Sequence, residues 1–220
     1  MAHSRDTSAR VVPLRIGSLD RMHPTTASSV FWELDPLVAG VSDVDPEIDK
    51  EAWLVALVFN HEPVGFSIID AESETGAMAT ILYCPAADAP GAVRMPTAPV
   101  SKDAWLVTSL HIDEAARRRG WESVLLDSVI GAATSAGVSA LEVFGVRADD
   151  PKEKLSPACA ELVDAAPHIG LTEVSILESA GFKIVADHPA IPRLRLTLPP
   201  EFDLLTAHEI ADLLAEAPAQ

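Results

Sequence analysis

With 220 residues, 48% of them apolar and 22% charged, the chain is long enough for one main folded domain and lies outside the compositions of disordered and fibrous proteins. A formal charge of -17 argues against a nucleic-acid partner, because binding a phosphate backbone takes clustered Lys and Arg to release its counterions. The longest apolar run, Trp53 to Phe59, falls far short of the roughly 20 residues that cross a bilayer, which argues against a membrane partner.

The first residues lack the apolar stretch of a secretory signal, and Cys84 and Cys159 stand far apart without paired spacing. A cytoplasmic address without disulfides is therefore expected. Residues 1–11 are polar and aperiodic and read as a loose tail, residues 12–199 as the folded domain, and residues 200–220 as a C-terminal helical extension.

In chain order, Val11 to Ile16 suits a first strand, and Thr25 to Leu34, after Pro24, a helix that carries Val30, Phe31 and Leu34 inward. Asp45-Pro46-Glu47 opens a second, short helix with Asp as N-cap and Pro in the first turn. Trp53 to Phe59 and Val64 to Ile69 read as antiparallel strands joined by the turn at Asn60 to Pro63. Ala77 to Tyr83 follows a second turn, Glu72 to Gly76, as a third strand. Cys84 to Asp103 holds four prolines and cannot be regular; a loop of that length serves either as a functional lid or as a mobile segment.

Ala104 to Ile112 makes a fourth strand, and the period then changes. Trp121, Val124, Leu125, Ser128 and Ala132 form one helical stripe that Gly137 ends. Ala140 to Val146 returns as a strand, which completes a βαβ unit with parallel pairing. Arg147 to Gly170 is polar and Pro-containing. Leu171 to Ala180 reads as a helix closed by Gly181, Phe182 to Ala186 as a strand, and Arg193 to Leu198 as a half-buried strand of period two. Thr206 and Glu209 form a capping box that opens a last helix carrying Ile210, Leu213 and Leu214. The fold class is α+β: an antiparallel meander followed by a βαβ unit in a mixed sheet.

Three of the chain's arginines, Arg117, Arg118 and Arg119, stand together where the fourth strand gives way to a helix. The positive pole of a helix favours carboxylates, so cations there are destabilising unless an anion rests among them. A phosphate would be cradled by free amides and neutralised by guanidinium groups, and Gly120 would let it approach the backbone. A solvated basic turn is the alternative that these residues alone leave open.

The run from Leu110 through Ile112, Asp113 and Glu114 to Arg117-Arg118-Arg119-Gly120-Trp121 resembles the acetyl-CoA motif of the GNAT N-acetyltransferase superfamily, [RQ]-x-x-G-x-[GA]. Arg117 and Gly120 match it, and Glu122 stands where the family has a small residue. Leu177-Glu178-Ser179-Ala180-Gly181-Phe182 resembles the family's closing helix and glycine-phenylalanine turn. The likeness covers roughly residues 13–198 and implies a GNAT-like central mixed sheet with helices on both faces. It also implies acetyl-CoA, or another acyl-CoA, as co-substrate. Leu110, His111, Ile112, Arg117, Arg118, Arg119, Gly120, Trp121, Glu122 and Ser123 would contact it, Leu110 and Ile112 through their backbones toward the thioester.

By that resemblance the activity is acyl transfer to a primary amine of a small molecule or protein. Many members place a tyrosine four residues before the closing glycine to protonate the thiolate, and here that position is Leu177. Another group or water then supplies the proton, or the domain is a non-catalytic acyl-CoA-binding module. His111, whose ordinary pKa suits work near neutrality, and Glu142 in the neighbouring strand are the candidate general bases, each with a structural role as its alternative. No H-x-H or H-x-x-x-H spacing occurs, so no metal is expected. Trp32, Trp53 and Trp105 read as core, Trp121 as a residue that could touch ligand, and the last helix as packed on its own domain or pairing two copies.

Overall fold

The computed structural model describes residues 9–34, 45–70, 76–117, 119–148 and 155–215. Its elements in chain order are β1 (Ala9–Leu14), α1 (Pro24–Ser28), α2 (Pro46–Asn60), β2 (Gly65–Asp70), β3 (Ala79–Pro85), β4 (Ala104–Ile112), α3 (Trp121–Ser135), β5 (Ala140–Val146), α4 (Pro157–Ile169), β6 (Thr172–Glu173), α5 (Val174–Ser179), β7 (Lys183–Ala186), β8 (Arg193–Thr197) and α6 (Ala207–Ala215). The strands form one mixed sheet in the order β1-β2-β3-β4-β5-β8-β7, with β6 paired to β5. β1 to β4 pair antiparallel in sequence, β4 and β5 pair parallel, and β8 returns antiparallel on β5. The expected meander and βαβ unit are both present.

Two apolar layers flank the sheet. On one face, Trp121, Val124, Leu125, Leu126, Val129, Ile130 and Ala133 of α3 pack on β2, β3 and β4, joined by Leu177 of α5 and Leu214 of α6. Each large side chain so removed from water contributes about 1.5–3 kcal/mol, which makes α3 the anchor of that layer. The other face carries Leu54, Leu57 and Val58 of α2, Cys159 and Ile169 of α4, and Trp32. Among the described residues no helix is long and apolar enough to cross a membrane.

Four local expectations change. Trp53 to Phe59 belongs to a helix, not a strand: Asp45 caps it through Glu47 N–H at 3.0 Å, and its buried residues Lys50, Leu54, Leu57 and Val58 keep a helical spacing that a short apolar run conceals. The first strand of the meander is therefore β1. It starts at Ala9, inside the segment read as a tail; residues 1–8 lie outside the described residues. The helix expected over Thr25 to Leu34 ends at Ser28, and Trp32, not Val30 or Phe31, is the side chain taken fully inward. Residues 147–170 are not all loop, because Ser156 caps α4 at Cys159 N–H and Pro157 opens its first turn. Of the turn expected at Glu72 to Gly76, only Gly76 is among the described residues.

The proline-rich stretch from Cys84 to Asp103 is packed onto its own domain. It makes two short turns of tight helix, Ala86–Asp88 and Pro90–Arg94, and ties down the chain after α1. Gly91 N–H donates to Trp32 O at 3.0 Å, while the Arg94 guanidinium donates to Phe31 O and lies 3.7 Å from the Phe31 ring centre. Beneath this buttress sits an ion pair between Lys50 and Glu33, the lysine 1% exposed. The second Glu33 oxygen accepts from Trp32 N–H at 3.1 Å.

Candidate functional site

The parallel pairing of β4 with β5 runs from Ala104/Ala140 to Val107/Val143 and stops there. One residue later β4 carries a bulge: its register against β3 slips between Leu82 and Tyr83, leaving Thr108 as the extra residue. The bulge turns Ser109 and His111 toward the α1 face and Leu110 and Ile112 toward α3. Beyond it β4 diverges from β5, and this is the gap into which Leu110 and Ile112 were expected to present backbone groups.

That gap is occupied by the chain itself. Leu110 N–H donates to Gly170 O at 2.9 Å, and β6 pairs with Gly145 and Val146, so the corner from α4 into β6 bridges the two strands. The two preceding carbonyls are held as well. His168 O accepts from His111 Nε2 at 3.1 Å, and Ile169 O accepts from the Trp32 indole at 3.0 Å.

At the mouth of α3, Gly120 adopts a left-handed φ of 81°, and among the described residues no side chain caps the helix. Arg117 is exposed, with its Nε donating to Ile112 O at 3.4 Å, and Arg119 and Glu122 are half-buried. Ser123 is exposed, and Arg118 lies outside the described residues. A Cβ on Gly120 would lie 2.9 Å from Leu213 of α6, so the missing side chain makes room for the last helix as well as for the turn. Trp121 is buried and its indole donates to Leu213 O at 3.2 Å, which removes its side chain as a ligand contact. The capping box of α6 forms as expected, with Thr206 N–H and Glu209 Oε2 at 2.7 Å. The apolar side of α6 is placed on α3 within its own domain.

Neither candidate base is available in this arrangement. His111 is 5% exposed, and its Nε2 must carry the proton to donate to the His168 carbonyl, so Nδ1 accepts from the Thr26 hydroxyl at 2.9 Å. Burial pushes its pKa down to about 4, against the hydrogen bond to His168, with the charges of His23, Lys50 and His168 adding to the fall. Glu142 is fully buried. It accepts from Ser101 N–H at 3.0 Å, from Arg195 at 3.1 Å and from Arg193, and it sits below the divergence, opposite Leu106. Burial would raise its carboxyl, but hydrogen bonds from Ser101 and Arg195 and the charge of Arg193 outweigh that and hold it below the usual range. It is a structural anion.

The structure gathers residues around His111 that no sequence spacing announces. The His23 ring stacks on it at 5.8 Å, accepts from Thr25 N–H and donates from Nε2 to Asp113 at 3.0 Å. His23 N–H also donates to Thr80, which is bonded to Ser67. Leu177 is buried against Gly145 and has no proton to give. A cleft of about 560 Å³ opens elsewhere, at the end of β5, lined by Arg147, Glu173, Ser175, Glu178 and Pro189 among others. Among the described residues no group of three or more His, Cys, Asp or Glu could hold a metal ion.

The depressed His111 pKa fixes the sign of a pH effect. An unfolded histidine takes its proton near pH 6.5 and the folded one near 4, so His111 stabilises the fold above 6.5 and that contribution is lost as pH falls toward 4. Between pH 7.5 and 5 the loss is about 2 kcal/mol. Urea unfolding at the two pH values should show it in the native protein and a smaller loss in His111→Gln; equal losses in both would contradict the assignment.

No protein-family model matches the chain, and no curated protein matches it by sequence. Solved structures with a similar chain path include an N-acetyltransferase from Staphylococcus aureus Mu50 (16% identity, 86% of this chain and 98% of that one, TM-score 0.47). They include the GNAT domain of S. lividans PAT (16% identity, 86% and 90%, TM-score 0.45). Arabidopsis thaliana NAA60 in complex with acetyl-CoA is a third (10% identity, 87% and 100%, TM-score 0.44).

Proposed function

We propose that this chain is an acyl-coenzyme A-dependent N-acyltransferase that moves an acetyl or other acyl group to a primary amine of a small molecule or protein. The observation that supports it is the conjunction at one end of β4. The parallel strands part after Val107 and Val143, and from the same strand the chain enters α3 through Gly120 without a side-chain cap, with Arg117 and Arg119 beside it. The coenzyme's pyrophosphate fits such a helix start, where amides, helix dipole and guanidinium groups all favour an anion. Its arm would then run along β4 into the divergence, where Leu110 N–H is the donor for the thioester oxygen. The amine nitrogen attacks the thioester carbonyl carbon, Leu110 N–H stabilises the oxyanion, the carbon–sulfur bond breaks, and a base takes the ammonium proton. On this reading the transferase domain begins with β1 at Ala9 and runs to residue 199, and α6 of the C-terminal extension braces α3.

A second reading, a non-catalytic acyl-CoA-binding module, is favoured by a specific observation: Leu177, His111 and Glu142 are buried, and neither candidate base has a free site. Both readings need the arginines. Arg117→Ala combined with Arg119→Ala should weaken acetyl-CoA binding about 30-fold, the loss of about 2 kcal/mol expected for hydrogen bonds to a charged group. Calorimetry that finds the affinity unchanged overturns both. Release of free thiol with an amine in a substrate screen then selects the enzyme over the module.

A further inference from the structure

We propose that the corner from His168 to Glu173 is a built-in stopper of the acyl slot, which an acyl-coenzyme A must displace to react; the inference rests on the acyltransferase reading of that slot. The corner lies in the gap left where β4 and β5 diverge, and it takes both open edges. Gly170 O holds the Leu110 amide at 2.9 Å, and Thr172 and Glu173 pair with Gly145 and Val146. A thioester oxygen approaching Leu110 meets a carbonyl already in place. The seated corner and a bound acyl group therefore exclude each other at a single hydrogen-bond donor.

The seat is shaped in detail. Three successive carbonyls, those of His168, Ile169 and Gly170, each find a donor from a different part of the fold: the His111 ring, the Trp32 indole and the Leu110 amide. Gly170 has a left-handed φ of 83°, and a Cβ on it would lie 2.7 Å from Ser109 Cβ and 2.9 Å from His111 Cε1. No residue with a side chain fits there without pushing the corner off β4.

The seat is also incomplete. Ser109, on whose Cβ Gly170 rests, is 2% exposed, and its hydroxyl has no hydrogen-bond partner among the described residues. A buried hydroxyl without a partner is disfavoured and rare in folded proteins. With the corner withdrawn, Ser109 Oγ, Leu110 N–H and His111 Nε2 all lose the cover or partner that the corner supplies, and become available to a ligand lying along β4. The stopper thus keeps three polar groups out of use until a ligand replaces it.

Hydrogen exchange and calorimetry on the whole chain test this with two probes, acetyl-CoA and ADP, the second carrying a pyrophosphate without the pantetheine arm. Acetyl-CoA is expected to speed exchange across residues 168–173 of the native protein, and ADP to leave it unchanged. Gly170→Ala, which unseats the corner, is expected to bind acetyl-CoA about 10-fold tighter, because the competent state no longer has to be drawn from a minor population, with ADP affinity unaltered. Acetyl-CoA binding that leaves residues 168–173 as protected as in the free protein overturns the stopper while leaving the acyltransferase reading intact. Failure of both probes to bind the native protein and the variant overturns the reading, and the stopper with it. Should Gly170→Ala fail to fold, exchange in the native protein decides alone.

Discussion

Glu142→Ala is expected to destabilise the fold by about 3–5 kcal/mol, the range for removing one partner of a buried ion pair. The side chain is fully buried, and its two oxygens serve Arg193, Arg195 and Ser101 N–H together. Without it, Arg193, whose side chain is 13% exposed, retains only the Ser101 hydroxyl at 3.5 Å, and Arg195 retains only the more exposed Asp103, 2.6 Å away. Equilibrium unfolding in urea measures the loss. Glu142→Gln distinguishes the structural role from a catalytic one: the amide keeps the shape and one acceptor oxygen but forfeits the charge and sets an NH2 donor against the donors that the other oxygen served, so it should lose stability while leaving any thiol release per folded molecule unchanged. Turnover that collapses in a Glu142→Gln protein of native stability would restore Glu142 as the base.

The second large effect lies at Lys50 and Glu33. Desolvation pulls the Lys50 pKa down, opposed by the charge of Glu33 and the hydrogen bond to it, so Lys50 depends on Glu33 for its charged state. Glu33→Ala strands an ammonium among Trp53, Cys84 and the α2 core and leaves Trp32 N–H without its acceptor, at about 3–5 kcal/mol. The double replacement Glu33→Leu with Lys50→Met removes both charges at similar volume, and it should recover most of that loss, since a buried pair is often no better than an apolar one. If the double variant is as unstable as the single one, the cost lies in packing or in the Trp32 amide and not in the charge. The position matters because Trp32 also holds Ile169 O, so a collapse here would loosen the corner that fills the slot.

These effects mark where the sequence was legible and where it was not. The meander from residue 64 onward, the βαβ unit, the helix start at Gly120 and the capping box at Thr206 could all be read, because each depends on residues close in the chain: alternation, a change of period, a glycine or a side chain three residues from the amide it serves. The run from Trp53 to Phe59 misled for a local reason. Seven apolar residues fit a strand or a buried helix equally well, and nothing in the run shows that the helix opened by Asp45, eight residues upstream, continues through it. The helix from Pro157 to Ile169 carried a readable signal, a Ser-Pro start followed by apolar positions at Leu162, Val163, Ala166 and Ile169, within a stretch that otherwise looks like loop.

Sequence by itself determined the succession of elements from β2 through β5 and the placing of the arginines at a helix start, since these follow from local periodicity and composition. Tertiary structure alone decided what each candidate side chain does. That His111 is bonded at both nitrogens, that Glu142 is enclosed by two arginines, that Leu213 fills the space beside Gly120 and that Gly170 rests on Ser109 are meetings of residues 51 to 93 positions apart. No periodicity encodes such meetings, because they depend on how the layers pack on the sheet.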